Sequence, residues 1–128
     1  MNVVDSSAWL EYFAGGPNAE EFAPVIKDHE TLVVPTITLF EVFKRVRVQR
    51  DVESALRAVS QMKRGNVVDL GDDLAIAAAE LSAETKLPLA DSVILATARA
   101  ASATLWTQDS DFEGFADVEY RARQGQGR

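Results

Sequence analysis

The sequence predicts an α/β fold built on a short, mostly parallel central sheet that is flanked by helices. Two observations indicate this class: five short strand-like runs are spread along the chain, and segments with helical periodicity fill the intervals between them. Such an alternation is typical of a parallel sheet covered by helices. A chain of 128 residues is long enough to bury a core, and we expect a single domain over residues 1–128.

The predicted strands are short and rich in valine, leucine and aromatic residues. They cover Asn2–Val4, Thr31–Val34, Asn66–Leu70, Thr104–Trp106 and Asp117–Tyr120. In an open sheet of this kind the ligand lies beyond the carboxyl ends of the strands, where the strand order reverses. Polar residues that directly follow a strand are therefore the first candidates for a functional site.

Six helices are predicted from the spacing of apolar residues and from end signals. They cover Ser6–Ala14, Ala19–Asp28, Thr36–Arg50, Asp51–Arg64, Asp72–Thr85 and Asp91–Ala101. The run "GGP" at residues 15–17 ends the first helix, Gly65 ends the fourth, and Thr36 is expected to cap the third. The tail over residues 121–128 is polar and glycine-rich, and we expect it to be frayed.

The composition excludes several classes of protein. The chain has no cysteine, which excludes a disulfide framework and a cysteine-based metal site. No apolar run approaches the length of a membrane span, and no charged leader precedes an apolar segment. We therefore expect a cytoplasmic protein.

The charge is unevenly distributed along the chain. The net charge is −7, yet residues 44–64 contain seven of the thirteen basic residues and only two acids, so that this segment carries about +5 and the rest about −12. A local basic field on an acidic protein could guide a polyanion to one face, although solvated helix faces explain these charges equally well. The candidates for contacts to a polyanion are Lys44, Arg45, Arg47 and Arg50.

Acidic residues follow the predicted strands or open the helices after them. Asp5 ends the first strand, and Asp109 and Asp111 follow the strand that ends at Trp106. Glu41 lies on the helix that starts after Pro35, and Asp91 opens the helix "DSVILATARAA". Four separate segments could therefore bring acids to one rim of the sheet.

Each acid also has a local explanation. Asp5 could belong to a helix N-cap, Glu41 could form an ion pair with Arg45 one turn later, and Asp91 could be a first-turn acid favoured by the helix dipole. The two acids of "TQDSDF" could be turn formers. These local roles do not explain why the acids converge. Converging carboxylates repel one another and take up protons or cations, and oxygen ligands suit Mg²⁺ or Mn²⁺.

Four motifs make the resemblance specific: "VVDSSAWLEYF", "PTITLFEVFKRV", "LPLADSVILATA" and "TLWTQDSDF". In these motifs, in their order and over almost its whole length, the chain resembles a PIN-domain ribonuclease, and more narrowly the VapC toxins of bacterial toxin–antitoxin pairs. The resemblance implies a PIN-like (Rossmann-like) three-layer sandwich. It implies a divalent-metal-dependent endoribonuclease that hydrolyses RNA phosphodiester bonds.

The resemblance also implies roles for individual residues. Asp5, Glu41 and Asp91 match the three acids of the family's metal centre, and Asp109 matches the fourth. Asp111 is expected to contribute supporting charge or to hold the loop.

Two hydroxyl positions of the family are also present. Ser6 and Thr107 match hydroxyls that hold the acids or a water molecule through hydrogen bonds. Arg99, two turns beyond Asp91, either adds to RNA binding or pairs with a nearby acid. The partners implied are a cognate VapB-like antitoxin and a second copy of the chain, as a homodimer.

Two other functions stay open from the residues. A receiver-like signalling module that binds Mg²⁺ without catalysis would have a similar size and an acidic pocket. It needs paired acids after the first strand and a lysine after the last, whereas Asp5 is followed by two serines and no lysine follows Trp106. An inactive PIN fold that only binds RNA or protein is the other alternative. A paired-histidine ribonuclease mechanism is excluded, because His29 is the only histidine.

Overall fold

The computed structural model describes residues 1–124, and its centre is a five-stranded sheet. The strands are β1 (Asn2–Val4), β2 (Leu32–Pro35), β3 (Asn66–Val68), β4 (Thr104–Thr107) and β5 (Val118–Tyr120). Their order across the sheet is β3-β2-β1-β4-β5, and all four pairings are parallel. The predicted α/β class is confirmed, and the sheet of the described residues is wholly parallel rather than mostly so.

Helices connect the strands and cover the sheet. They are α1 (Ser6–Ala14), α2 (Ala19–Lys27), α3 (Thr36–Gln49), α4 (Val52–Met62), α5 (Asp72–Thr85) and α6 (Leu89–Ala100), with a short 3₁₀ turn at Ser110–Phe112. None of the helices within residues 1–124 combines the length and the apolar character that a membrane crossing requires.

The sheet separates two hydrophobic cores, and adjacent residues of β1 serve different ones. Val3 packs with Val33, Ile94 and other residues of α5 and α6 on one face. Val4 packs with α1 to α4 on the opposite face, where Trp9 is 1% exposed. Because successive side chains of a strand point to opposite faces, one short apolar strand supports both cores. The result is the predicted three-layer sandwich.

The strand order reverses beside β1, which places the functional edge. From β1 the chain moves outward through β2 to β3, and then returns to the other side of β1 with β4 and β5. The carboxyl ends of β1 and β4 therefore border a crevice, as expected for an open parallel sheet.

The cap of α3 and the start of α6 differ from the prediction. Pro35, not a threonine, holds the cap position of α3, and the Thr38 hydroxyl donates to the Pro35 carbonyl at 2.7 Å, so the predicted Thr36 cap is wrong. Helix α6 begins at Leu89 after Pro88, whose fixed φ of −60° suits a helix entry. Asp91 is thus inside the first turn rather than at the first position.

The predicted frayed tail over residues 121–128 lies partly outside the described residues, namely at 125–128. The described part lies against the domain. The backbone N–H of Arg121 donates to the Thr107 carbonyl at 2.9 Å, and its guanidinium pairs with Glu21 and Glu119. The chain is therefore held at least at Arg121.

Candidate functional site

Every acid that the sequence singled out lies at the carboxyl edge of the sheet. Asp5 follows β1, Glu41 lies in α3, Asp91 lies in the first turn of α6, and Asp109 follows β4; these four line one groove. Asp111 lies in the 3₁₀ turn next to Asp109. The predicted convergence of four chain segments is present.

Asp5 lies at the cap position of α1 but does not cap the helix with its side chain. Its Oδ2 atom accepts hydrogen bonds from the hydroxyls of Ser7 and Thr107, at 2.7 and 2.8 Å. The carboxylate is 3% exposed. Neighbouring side chains thus hold it toward the crevice instead of toward the helix amides.

Burial raises the pKa of the Asp5 carboxyl above its ordinary value. The two hydroxyl hydrogen bonds, from Ser7 and Thr107, oppose this shift, whereas the charges of Asp109 and Glu41 add to it. A carboxylate in this position is stabilised by any positive charge that enters the crevice.

Glu41 is fixed by a serine from another element. The Ser6 hydroxyl donates to Glu41 Oε1 at 2.7 Å. The ion pair with Arg45 that would explain Glu41 locally is absent, since the ion pairs of residues 1–124 involve only Arg99 and Arg121. Ser6 was expected to hold an acid or a water molecule through its hydroxyl, and the acid that it bonds is Glu41.

The loop after β4 is organised around Thr107. The Thr107 hydroxyl accepts from the backbone N–H of Asp109 at 2.9 Å while it donates to Asp5. Asp109 Oδ1 in turn accepts from the backbone N–H of Asp111 at 2.9 Å. The buried Thr107 hydroxyl therefore connects Asp5 to the loop that carries Asp109 and Asp111.

The nearby acids shift the pKa of Asp91. Partial burial, together with the charges of Asp5, Asp109, Asp111 and Glu41, raises the pKa of its carboxyl to about 7. Asp91 therefore takes up a proton near neutral pH unless a cation compensates the surrounding charge.

Three of the carboxylates are close enough to share one cation. An oxygen from each of Asp91, Asp109 and Asp111 lies within 4.8 Å of the other two. Asp111 was expected in a supporting role, and here its carboxylate joins the cluster directly. The donors are all oxygens, and together with the raised pKa of Asp91 they fit a hard divalent cation such as Mg²⁺ or Mn²⁺.

A groove of about 770 Å³ extends from the acids between α1, α3 and α4. Arg45 and Arg50 line it, as expected for contacts to a polyanion. The other two predicted contacts, Lys44 and Arg47, are not among the described residues that line it, and the Lys44 ammonium lies 5.9 Å from the ring centre of Phe40.

The sequence did not single out several residues of the site and groove. Ser7 was missed, although it follows Asp5 by two residues and its hydroxyl donates to the Asp5 carboxylate. Arg57 belongs to the basic segment but was not chosen, and it lines the groove with Gln108 and Arg123. No local signal marks Gln108 or Arg123.

Arg99 lies outside the groove. Its Nε atom is 3.3 Å from Asp117, so the structure favours the ion pair over a role in RNA binding. Its guanidinium also lies 5.6 Å from the ring centre of Phe115.

Comparisons with known proteins agree with this geometry. The profile of the PIN domain family matches residues 3–118. No curated protein sequence matches the chain significantly. Among solved structures, a toxin–antitoxin complex from Klebsiella pneumoniae has a chain with a TM-score of 0.82 and 23% identity, covering 97% of this chain and 100% of that one.

Two further solved structures share the fold. VapC20 from Mycobacterium tuberculosis, described as a sarcin–ricin loop cleaving toxin, has a TM-score of 0.76 and 19% identity, with 92% of this chain and 98% of that chain covered. FitAcB from Neisseria gonorrhoeae has a TM-score of 0.71 and 20% identity, with 87% and 89% covered. At these identities the likeness supports the fold, and the family profile, which spans most of the sequence, shows that the chain belongs to the PIN domain family.

Proposed function

We propose that this protein is the toxin of a toxin–antitoxin pair and that it acts as a divalent-metal-dependent endoribonuclease. The observation that carries the proposal is the convergence of Asp5, Glu41, Asp91 and Asp109 at the mouth of one groove. The pKa of Asp91, raised to about 7, supports a site built for a cation.

The residues that would hold Mg²⁺ or Mn²⁺ are Asp91, Asp109 and Asp111, with Asp5 and Glu41 beside them in the groove. When bound, the ion would supply a lowered pKa for an attacking water and stabilisation of the charge that develops on the phosphodiester. Hydrolysis in this manner is expected to leave a 5′-phosphate and a 3′-hydroxyl.

The chain's own side chains would set the geometry of this reaction. Thr107 and Ser7 fix Asp5, and Ser6 fixes Glu41, so that these carboxylates do not need to reorient when RNA binds. Arg45 and Arg50 on the groove wall would hold phosphates next to the scissile bond. Single-stranded or looped RNA is the substrate class that suits such a groove, because its backbone can follow the wall and its bases can splay out.

The relatives support the toxin assignment and its partners. The similar structure from Klebsiella pneumoniae is a toxin–antitoxin complex, and VapC20 is described as a toxin that cleaves the sarcin–ricin loop. By analogy we expect this chain to bind a cognate VapB-like antitoxin, to form a homodimer and to act in the cytoplasm on RNA.

The test is cleavage of a mixed pool of structured and unstructured RNAs by the purified protein. Cleavage should require Mg²⁺ or Mn²⁺, stop with EDTA, and be lost in Asp91→Asn. The exposed Asp69→Asn variant, outside the groove, is the matched control and should cut like the wild type. A wild type that binds Mg²⁺ but cuts no RNA would contradict the ribonuclease proposal and favour a binding module.

A further inference from the structure

The C-terminal segment Arg121–Gln124 lies against the same edge of the sheet as the acids. Its first residue is anchored in three ways. The backbone N–H donates to the Thr107 carbonyl at 2.9 Å, the guanidinium bonds Glu21 at 2.9 Å, and it lies 5.4 Å from the ring centre of Trp106. The segment therefore leaves β5 in a fixed direction.

Asn18, in the turn between α1 and α2, holds the remainder of the segment. It is 2% exposed, and its amide nitrogen donates to Gln108 Oε1 at 3.0 Å and to the Ala122 carbonyl at 2.9 Å. Its Oδ1 accepts from the Gln124 side chain at 3.1 Å. A buried amide whose donors and acceptor are all used is costly to rearrange, so the residues on both sides of Arg123 are fixed.

Arg123 lines the groove together with Gln108 and Asp109. The ion pairs of residues 1–124 do not include it. Arg123 is thus an exposed cation beside the acidic centre that the fold itself holds in place.

Arg123 approaches the groove from a different side than the other arginines do. Arg45 lies in α3, Arg50 directly follows α3, and Arg57 lies in α4. All three follow β2 in the chain. Arg123 follows β5, beside β4, and β2 and β4 flank β1 on opposite sides. The cations therefore border the groove on both sides, which suits a polyanionic strand lying between them.

We propose that Arg123 is a substrate-binding residue that contacts the RNA backbone on the β4–β5 side of the groove, and that Asn18 positions it. This inference rests on the proposed ribonuclease function. Arg123 contributes to holding the strand and not to the chemistry, because the acids, and not Arg123, supply the oxygens that could hold a cation.

The test compares Arg123→Gln with Arg99→Gln, an arginine substitution at a paired site outside the groove. Cleavage kinetics and anisotropy of a fluorescein-labelled single-stranded RNA of mixed sequence are measured, the latter in an Asp91→Asn background that leaves the RNA intact. Arg123→Gln should raise KM and weaken binding by about three- to tenfold, with kcat within about twofold. The slope of log affinity against log salt should fall in magnitude by about 0.7, the effect of one lost phosphate contact on a single strand.

Asn18→Ala tests the positioning role. It should raise KM as Arg123→Gln does, and the double variant should lose little more, because both changes remove the same contact. If Arg123→Gln matches Arg99→Gln in KM and salt slope while the wild type cuts RNA, this inference is wrong and the ribonuclease function stands. If the wild type neither binds nor cuts RNA, both fail.

Discussion

Helices α1 and α4 both begin after an aspartate with extended backbone, yet the two aspartates contact different groups. Asp51 accepts from the backbone N–H of Ser54 at 2.7 Å, and that hydrogen bond is the main cause of its lowered pKa. Asp5 makes no side-chain cap, is bonded by Ser7 and Thr107, and has a raised pKa because it is buried.

The comparison shows that long-range contacts can prevent an aspartate before a helix from capping that helix. An N-cap aspartate ordinarily stabilises its helix, as Asp51 does. Asp5 does not make that bond, and its Oδ2 atom instead accepts from Ser7 and from Thr107, which lies more than a hundred residues later. Asp51 thus stabilises its helix, whereas the charged form of Asp5 is destabilised by burial.

The largest effect on RNA cleavage is predicted for a substitution of Asp5. Asp5→Asn should lower kcat/KM for RNA cleavage by more than about a hundredfold, beyond the range that loss of a supporting partner causes. The metal-free protein should become more stable, because the buried charge is removed while an oxygen still accepts from Thr107. RNA cleavage assays and thermal melts in EDTA measure the two effects, and Asp5→Asn with wild-type activity would refute the assigned role.

Removal of the Thr107 hydroxyl, which donates to Asp5, should have an intermediate effect on RNA cleavage. Thr107→Val keeps the shape of the side chain but removes a donor to Asp5 and the acceptor for the Asp109 N–H. We expect kcat/KM to fall by about 10- to 100-fold. The matched control is Thr97→Val, whose equally buried hydroxyl donates only to the Val93 carbonyl, and its activity should be unchanged.

The pH dependence of stability should follow Asp91. The folded protein binds the Asp91 proton up to a pH of about 7, whereas the unfolded chain releases it near 3.8, so stability contributed by this group is full below 3.8 and is lost as the pH rises through 7. The Tm of the metal-free protein should therefore fall from pH 5 to pH 8. Asp91→Asn should reduce this dependence, and the remainder should come from Asp5, whose pKa is also raised.

Because Asp91 is only partly buried, solvent screening limits the effect on the free energy of unfolding to about 1–2 kcal/mol. Thermal melts in EDTA across this pH range test the prediction. A Tm that rises with pH, or an equal slope in the variant, would contradict it.

The smallest effect is expected at Asp51. Asp51→Ala should lower Tm slightly, since the Ser54 N–H loses its partner, and should leave RNA cleavage unchanged. If Asp51→Ala lost more RNA cleavage activity than the control Asp69→Asn, Asp51 and Asp5 would differ less than their contacts indicate.

Much of the fold was predictable because its signals are local. The strand β1 and the helices α1 and α5 have the bounds that apolar spacing and end residues predict. The start of α6 was misplaced, since Leu89 and Ala90 follow Pro88 without any capping residue and the acid at position 91 was a more visible signal.

The site was predictable in its acids and less so in their supports. Asp5 and Asp109 follow strands, so the rule for open parallel sheets applies to them. The contacts of Asn18, Gln108 and Arg123 join positions about a hundred residues apart, and no local pattern encodes such pairings. The same holds for the hydrogen bond from Thr107 to Asp5.

The central claim is that the converging acids form a centre for a divalent cation, and calorimetric titration of the wild type with Mn²⁺ near pH 7 tests it most directly. In buffers of different ionisation enthalpy, binding should release protons, because the raised pKa of Asp91, about 7, leaves this carboxyl partly protonated at that pH. Asp91→Asn should bind more weakly and release less. No saturable binding by the wild type, or identical binding and proton release by the variant, would contradict the account.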